Sequence, residues 1–260
     1  MSENHSQTKI RKGEISLKLT VIGHWGGYPK KNEASSGYLL EEQGFKLLID
    51  CGSGVLSFLQ EHIEAYELDA AILSHYHPDH TADIGVLQHA LLIQKYLGKN
   101  SKTLPFYAHE EDKQGFASLT YKDLMRGAAY NPSEALHVGP YTITFLKTKH
   151  PVPCYAMRIE AGGKTLVYTA DSAYQDSFIS FAKDADIFLC ECNFYGDMDG
   201  SGAGHMNSLD SGRVAKAAGV KKLVLTHLPH YGDLNKLVQE AAGIYKGEII
   251  LAEKDLQLNV

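Results

Sequence analysis

The stretch AAILSHYHPDH, residues 70–80, decides how this chain is interpreted, because its last six residues contain four potential metal ligands. If the apolar start of the stretch is a buried strand, His75 and His77 lie two apart at its end and project to the same side, where both can bind one ion. The proline that follows ends the strand. Asp79 and His80 then lie on the turn that opens the next helix and can serve a second ion. A histidine-rich surface loop is the alternative, but the density of ligands favours a metal site.

Three further potential ligands, His150, Asp171 and His227, each come directly after an apolar run that is typical of a strand. Functional residues often lie on loops of this kind, whose positions are fixed by a rigid scaffold. The pattern HxHxDH at residues 75–80, followed by these three residues in this order, resembles the signature of the metallo-β-lactamase superfamily.

The resemblance implies two metal ions in one site, with zinc favoured and manganese or iron as alternatives. It assigns His75, His77 and His150 to one ion, Asp79, His80 and His227 to the other, and Asp171 to a bridge between them. Histidine rather than glutamate at position 77 departs from the oxygen-reducing diiron branch of the superfamily, which makes hydrolysis the expected chemistry. Asp79 is also a candidate catalytic residue, because its carboxylate can orient the attacking water as well as bind metal.

Length and composition fit one large domain. The chain has 260 residues, of which 44% are hydrophobic, and this is enough to bury a full core. Because the potential ligands are spread from position 75 to 227, we predict a single domain over residues 13–260. Residues 1–12 are polar and are predicted to form a flexible tail. They lack the apolar core of a signal peptide, and no segment approaches the roughly 18 apolar residues of a membrane span, so we expect a cytoplasmic protein.

The charge of the chain indicates which binding partners to expect, and its cysteine content indicates the redox state of its cellular compartment. The 25 Lys and Arg residues stand against 31 Asp and Glu, a formal net charge of −6, so no large basic surface for nucleic acid is evident. Small or locally bound substrates are therefore favoured. The spacing of the four cysteines does not suggest a disulfide framework, which fits a reducing compartment. Cys190 and Cys192 alternate within a predicted strand and are interpreted as core residues rather than metal ligands.

The two halves of the chain show similar strand and helix patterns. Residues 37–50 predict an antiparallel hairpin, after which a strand ends at Ser74 and a helix extends from about 81 to 97. Residues 155–169 predict a second hairpin, after which a strand ends at Cys192. Two such halves fit an α/β fold in which two mixed sheets pack face to face with helices on both outer faces. This αββα four-layer sandwich is also the fold that the resemblance implies.

Two glycine-rich segments, residues 19–29 and 48–54, resemble the opening motifs of ribonuclease Z and its phosphodiesterase relatives. Glu191, at the end of a predicted strand, and His205 resemble the Glu and His pair with which that family protonates the leaving oxygen. The alternative is that His205 is only a residue at the start of the next helix, where Asn207 or the residue after it is the better cap.

Two departures from ribonuclease Z bear on the substrate. That family carries a long arm that binds transfer RNA between the third histidine and the bridging aspartate, whereas Asp171 follows His150 by only 171 − 150 = 21 residues. The interval leaves no room for the arm, which argues against a transfer RNA substrate. His230 stands near the place of an arginine in that family and is either a phosphate contact or a surface histidine. His24, beside Trp25, is a further candidate for the pocket.

The leading hypothesis is a dinuclear, zinc-dependent phosphodiesterase that acts on a small cyclic or nucleotide-like phosphodiester, or on the end of a short nucleic acid. Thioester hydrolysis of the glyoxalase II kind is the alternative among enzymes, although residues 248–251 and 256–258 predict strands where that branch usually has a helical domain. β-Lactam hydrolysis is disfavoured because Asp171 completes a bridged site that those enzymes lack. A catalytically silent RNA-binding scaffold would be expected to have lost ligands and gained basic surface. A homodimer is expected from the resemblance only.

Overall fold

The computed structural model describes residues 17–99 and 102–260, and within these residues it contains two seven-stranded sheets. The predicted N-terminal tail, residues 1–12, lies outside the described residues. The strands are β1 (Lys18–Gly23), β2 (Gly37–Glu42), β3 (Phe45–Ile49), β4 (Ala70–Ile72), β5 (Leu104–Ala108), β6 (Met125–Ala129), β7 (Leu136–Val138), β8 (Tyr141–Lys147), β9 (Tyr155–Ala161), β10 (Lys164–Tyr168), β11 (Ile187–Glu191), β12 (Lys222–Thr226), β13 (Glu248–Leu251) and β14 (Gln257–Asn259).

The α-helices of the described residues are α1 (Val55–Leu59), α2 (Pro78–Thr81), α3 (Ile84–Tyr96), α4 (Lys113–Ser118), α5 (Ser177–Phe181), α6 (Ser208–Ala218) and α7 (Leu234–Ile244). None of the helices in this described part of the chain is both long and apolar enough to cross a membrane.

The two sheets have the same internal organisation. The first has the order β14-β1-β2-β3-β4-β5-β6, and the second has the order β13-β12-β11-β10-β9-β8-β7. In each half an antiparallel meander, β1 to β3 or β7 to β10, continues into parallel strands. The two predicted hairpins are present, with Leu39 opposite Leu48 in the first and Ile159 opposite Leu166 in the second. The predicted repetition of the first half by the second is therefore confirmed.

Three apolar layers hold the sheets and helices together. Tyr38 of the first sheet and Met157 of the second lie in the core between the sheets. Leu87 of α3 packs on the outer face of the first sheet. Val214 of α6 and Leu237 of α7 pack on the outer face of the second. All five side chains are fully buried, and each such burial stabilises the fold by about 1.5–3 kcal/mol. Helices thus cover both outer faces, as the αββα prediction requires.

The segment around the signature loop differs in detail from the prediction. Strand β4 ends at Ile72 rather than at Ser74, because the Ser74 backbone N–H donates to the side chain of Asp50 at 2.8 Å instead of to a neighbouring strand. His75 and His77 therefore lie in the loop after the strand, whereas Asp79 and His80 lie in α2. The helix predicted at 81–97 corresponds to α3, which begins at Ile84, and the short helix α2 precedes it. Gly98, with a φ of 72°, follows the end of α3 as predicted.

The cysteines lie in the core. Cys190 and Cys192 are fully buried between the second sheet and its helices, and all four cysteines are free thiols. Burial raises the pKa of each thiol, which keeps it in the neutral and unreactive form. The interpretation of Cys190 and Cys192 as core residues is confirmed.

Candidate metal centre

The potential ligands of both halves converge at one edge of the sandwich, where several strands end. The HxHxDH loop follows β4, while His150, Asp171 and His227 follow β8, β10 and β12. Parallel strands end at the same edge of a sheet, so one residue placed after each strand reaches a common site. All seven ligands predicted from the sequence lie in this site, divided between two groups that share one residue.

The first group contains His75, His77, His150 and Asp171, each of which offers one ligand atom within 4.8 Å of the others. His77 Nδ1 lies 3.1 Å from His75 Nε2 and 3.0 Å from His150 Nε2. Asp171 Oδ2 lies 3.6 Å from His75 Nε2 and 3.9 Å from His150 Nε2. Three imidazoles and one carboxylate that face a common point are a ligand set that zinc binds in proteins.

The second group contains Asp79, His80, Asp171 and His227. His227 Nε2 lies 3.1 Å from Asp79 Oδ2 and 3.3 Å from Asp171 Oδ2. His80 Nε2 lies 3.5 Å from Asp79 Oδ2 and 3.4 Å from Asp171 Oδ1. Because Asp171 belongs to both groups, its carboxylate is placed to bridge them, as the resemblance implied.

Two atoms at the centre of the site test whether metal ions fit it. His80 Nε2 and Asp171 Oδ1 are buried and face each other, yet neither makes a hydrogen bond within the described residues. Buried polar atoms are nearly always hydrogen-bonded unless an ion or water satisfies them. Imidazole and carboxylate groups held in this way fit divalent zinc, manganese or iron. The donor set therefore agrees with a pair of divalent ions.

The protonation states around the first group favour metal binding. Burial is the main cause that lowers the pKa of His75, His77 and His150, and the neutral imidazole is the form that binds metal. Burial opposes ionisation of Asp171, but the surrounding histidines, His227 first, hold the pKa of its carboxyl well below its usual range. These surroundings favour the carboxylate form of Asp171.

Asp50 supports His80 from behind and was not among the site residues predicted from the sequence. Its Oδ2 accepts a hydrogen bond from His80 Nδ1 at 2.7 Å, which directs His80 Nε2 toward the second group. Ser74 and Tyr168 also donate to this carboxylate. Burial lowers the pKa of His80, but the carboxylates of Asp171, Asp50 and Asp79 raise it well above its ordinary value. Three carboxylates therefore surround His80, and their negative charge favours the binding of a cation at the second group.

The backbone of each glycine-rich segment lies so close to the candidate ligands that a side chain would not fit at Gly26 or Gly52. A Cβ atom at Gly26 would lie 2.7 Å from the His227 ring, and one at Gly52 would lie 2.0 Å from the carbonyl oxygen of Asp79. The Gly27 N–H donates to Asp79 Oδ2 at 2.7 Å. The segments recognised as opening motifs therefore form walls of the site.

Glu191 and His205 form a hydrogen-bonded pair beside the second group. His205 Nδ1 donates to Glu191 Oε1 at 2.9 Å, and the His205 ring stacks on His227 with the ring centroids 5.2 Å apart. Burial lowers the pKa of His205, but the charge of Glu191 and this hydrogen bond raise it to about 9. The side chain of Asn207 caps α6, so His205 is not the helix cap. The pair has the geometry that the resemblance implied, and the role of His205 stays a prediction.

The site opens into a cavity of about 390 Å³. Its lining includes His77, Asp79, Asp171, His205, His227, Tyr28, Asn193, His230 and Tyr231, and no Lys or Arg among the described residues lines it. His24 is buried beside Trp25 and does not line this cavity. Burial, with a contribution from Lys30, lowers the pKa of His24 to about 4. The structure therefore places His230, but not His24, at the pocket.

Comparison with known proteins agrees with this geometry. The family model described as the beta-lactamase superfamily domain matches residues 45–228, a span that contains all seven candidate ligands. The chain is 56% identical over 237 residues to the probable metallo-hydrolase YhfI of Bacillus subtilis (strain 168), which is 91% of this chain and 97% of that protein. A crystal structure of YhfI from Bacillus subtilis, described as a metallo-beta-lactamase fold protein, matches with a TM-score of 0.93 and 54% identity, covering 94% of this chain and 100% of that one.

More distant similarities extend over almost the same part of the chain. A ribonuclease Z of Methanosarcina mazei is 24% identical over 307 residues, which covers 94% of this chain and 98% of that protein. The crystal structure of a diphosphatase from the PhnP family matches with a TM-score of 0.73 at 19% identity, covering 93% of this chain and 97% of that one, and this is a likeness of fold.

Proposed function

The chain belongs to the beta-lactamase superfamily and has the metallo-β-lactamase fold, and from this premise we propose that it is a metal-dependent hydrolase of small, nucleotide-like phosphodiesters. The observation that carries the proposal is the Glu191 and His205 pair, which lies beside two ligand groups that share Asp171. A pair of this kind supplies a proton to a leaving oxygen. Thioester cleavage has less need of such a donor, because a thiolate leaves without a proton more readily than an alkoxide does.

Two divalent ions, with zinc favoured, would be held by the two groups around Asp171. When bound, they would lower the pKa of a water and neutralise charge that develops on a phosphoryl oxygen. The chain's own contribution on the attacking side is Asp79. Its carboxylate lines the cavity and accepts a hydrogen bond from the Gly27 N–H, which supports a role in orienting the attacking water.

The leaving side of the substrate faces His205. Its Nδ1 is bonded to Glu191, so Nε2 remains for the leaving oxygen in the cavity. Glu191 is fully buried and also accepts a hydrogen bond from the Ser172 backbone N–H at 2.9 Å, which fixes its carboxylate. The protonated imidazole that this environment favours is the form that donates.

The cavity favours a small substrate with one phosphodiester. Its volume of about 390 Å³ lies at the lower end of the range for small-molecule sites. A polynucleotide chain is usually bound by several Lys and Arg side chains, and none lines this cavity among the described residues. Between His150 and Asp171 the chain forms the short hairpin of β9 and β10, with no inserted arm. This supports a substrate other than transfer RNA.

The alternatives are weaker. The glyoxalase II branch of thioester hydrolases usually has a helical substrate domain, whereas residues 248–251 and 257–259 form β13 and β14, which pair with the two sheets. A silent RNA-binding scaffold would not need to retain all seven candidate ligands. A homodimer is proposed only from the family resemblance.

The experiment that tests the function is a parallel activity screen of protein purified with its metal. The substrates are bis-p-nitrophenyl phosphate, cyclic nucleotides, a thioester, a β-lactam and a pre-tRNA with a 3′ trailer. We expect the phosphodiesters to be hydrolysed preferentially and the pre-tRNA to be cut poorly. Thioesterase activity without phosphodiesterase activity would overturn the proposal, and efficient, specific pre-tRNA cleavage would contradict the exclusion of transfer RNA.

A further inference from the structure

A stack of aromatic rings stands at the mouth of the cavity, and Tyr28 is its outermost member. The Tyr28 ring stacks on His230 with centroids 3.7 Å apart and planes at 2°. His230 also stacks on Trp25, with centroids 5.2 Å apart and planes at 26°. Trp25 is buried, whereas Tyr28 is 61% exposed. The face of Tyr28 that does not contact His230 is therefore open to solvent.

The backbone fixes this ring next to the ligand groups. The Gly27 N–H, one residue before Tyr28, donates to Asp79 Oδ2 at 2.7 Å. His230 Nε2 donates to the carbonyl oxygen of Gly26 at 3.0 Å. Since this nitrogen is already used by the backbone, His230 supports the Tyr28 loop rather than presenting Nε2 to a phosphate. The exposed tyrosine ring is thus held in place rather than free to reorient with its loop.

The surroundings of the exposed ring suit an uncharged, planar group. Tyr231, which is 45% exposed, lines the same cavity as Tyr28, and so do Pro229 and Asn193. No Lys or Arg among the described residues lines this cavity. A flat aromatic surface beside a phosphodiester centre is the arrangement on which nucleic acid bases stack, and such stacking tolerates any base because every base has a π-face.

We propose that Tyr28 is the platform on which the base of the substrate stacks, so that nucleotide esters are preferred over phosphodiesters that lack a base. This inference rests on the proposed phosphodiesterase function and names a specificity residue for it. Stacking on an aromatic side chain corresponds to about 5- to 150-fold in binding per base.

The test uses two substrates that release the same leaving group. One is the p-nitrophenyl ester of thymidine 5′-monophosphate, and the other is the matching ester of the deoxyribose phosphate without its base. The ratio of their kcat/KM values is measured in the wild type and in Tyr28→Ala, Tyr28→Phe and Tyr96→Ala. Tyr96 is a matched control, because it is 76% exposed on α3 and does not line the cavity.

We expect the wild type to favour the thymidine ester by about 5- to 150-fold. The ratio should fall toward one in Tyr28→Ala and be kept in Tyr28→Phe and Tyr96→Ala. Calorimetric binding of thymidine 5′-monophosphate and of its base-free counterpart should show the same pattern without turnover. A wild-type ratio near one, or a ratio that persists in Tyr28→Ala, would overturn the platform while leaving the phosphodiesterase intact. Hydrolysis of neither ester would overturn the proposed function, and the platform with it.

Discussion

The two halves of the sandwich contribute to one site in different ways. The first half places four of the seven candidate ligands close together in the sequence, two in the loop after β4 and two in α2, and it supplies Asp50 to support one of them. The second half supplies one ligand after each of three separate strands, and it adds the Glu191 and His205 pair. The first half thus concentrates candidate ligands in one segment. The second supplies Asp171, which belongs to both ligand groups, and the Glu191 and His205 pair, for which we propose the role of proton donor.

The largest effect is expected when Asp171, the residue that belongs to both ligand groups, is removed. Asp171→Ala should reduce the metal content from about two equivalents per chain to well below one, because both groups lose a ligand. Elemental analysis of protein purified without chelator measures this. The matched control is Asp186→Ala, which removes a buried carboxylate that binds the Thr165 N–H at the opposite end of β11. If Asp171→Ala still bound two ions, the bridge would be wrongly assigned.

The second prediction distinguishes His205, the proposed proton donor of the second half, from the candidate metal ligands. His205→Ala should slow hydrolysis of substrates with alkoxide leaving groups by about 10²- to 10⁴-fold, because an alkoxide leaves poorly without a proton. The loss on bis-p-nitrophenyl phosphate should be much smaller, since nitrophenolate needs little protonation. Metal content should not change. His62→Ala, which changes a histidine paired with Asp255, is the control. Equal losses on both substrates would mean that His205 positions the substrate or supports the fold.

The third prediction concerns Asp50, which accepts a hydrogen bond from the candidate ligand His80 within the first half. Asp50→Asn keeps the shape of the side chain but removes the charge behind His80, and we expect about 10- to 100-fold weaker binding of one of the two ions. Competition with a metal indicator measures both affinities. Asp186→Asn should leave them unchanged. If both affinities fell equally, Asp50 would support the whole site rather than His80 alone.

The smallest effect is expected at Asn207, which caps the helix that follows His205, the proposed proton donor. Asn207 caps α6 two residues after His205, and Asn207→Ala should lower the free energy of unfolding by about 1 kcal/mol. We also expect a modest loss of activity on alkoxide substrates. The control is Asp233→Ala, which removes the cap of α7, and it should destabilise the protein similarly without that selective loss. Urea denaturation and kinetics on the two substrate types distinguish these outcomes.

The first half was easier to predict because its ligands are adjacent in the sequence. The HxHxDH loop can be found by spacing alone, whereas His150, Asp171 and His227 were placed from the family's order of ligands. The αββα fold followed from the repeated strand and helix pattern and is confirmed. The end of β4 was predicted two residues late, because the hydrogen bond from Ser74 to Asp50 joins positions 24 residues apart.

Asp50 and Tyr28 could not be assigned from the sequence for a related reason. Asp50 lies in a recognised motif, but its role depends on His80 and on Tyr168, which is 118 positions away. The only local signal was an acidic residue directly after a buried strand. Tyr28 stacks on His230, which the chain brings to it from the second half. Roles that depend on a distant partner are not encoded in local spacing.

The pairing of β1 with β14 has a consequence for how the protein is made. Lys18 lies opposite Asn259, so the first sheet is completed by a strand that is synthesised after every other strand of the described chain. Until β14 leaves the ribosome, the nascent chain presents β1 as an open edge of the kind that pairs with other polypeptides. Such long-range pairing slows folding and extends the time during which the chain can aggregate. An expression fragment that ends before β14 would keep that edge permanently open.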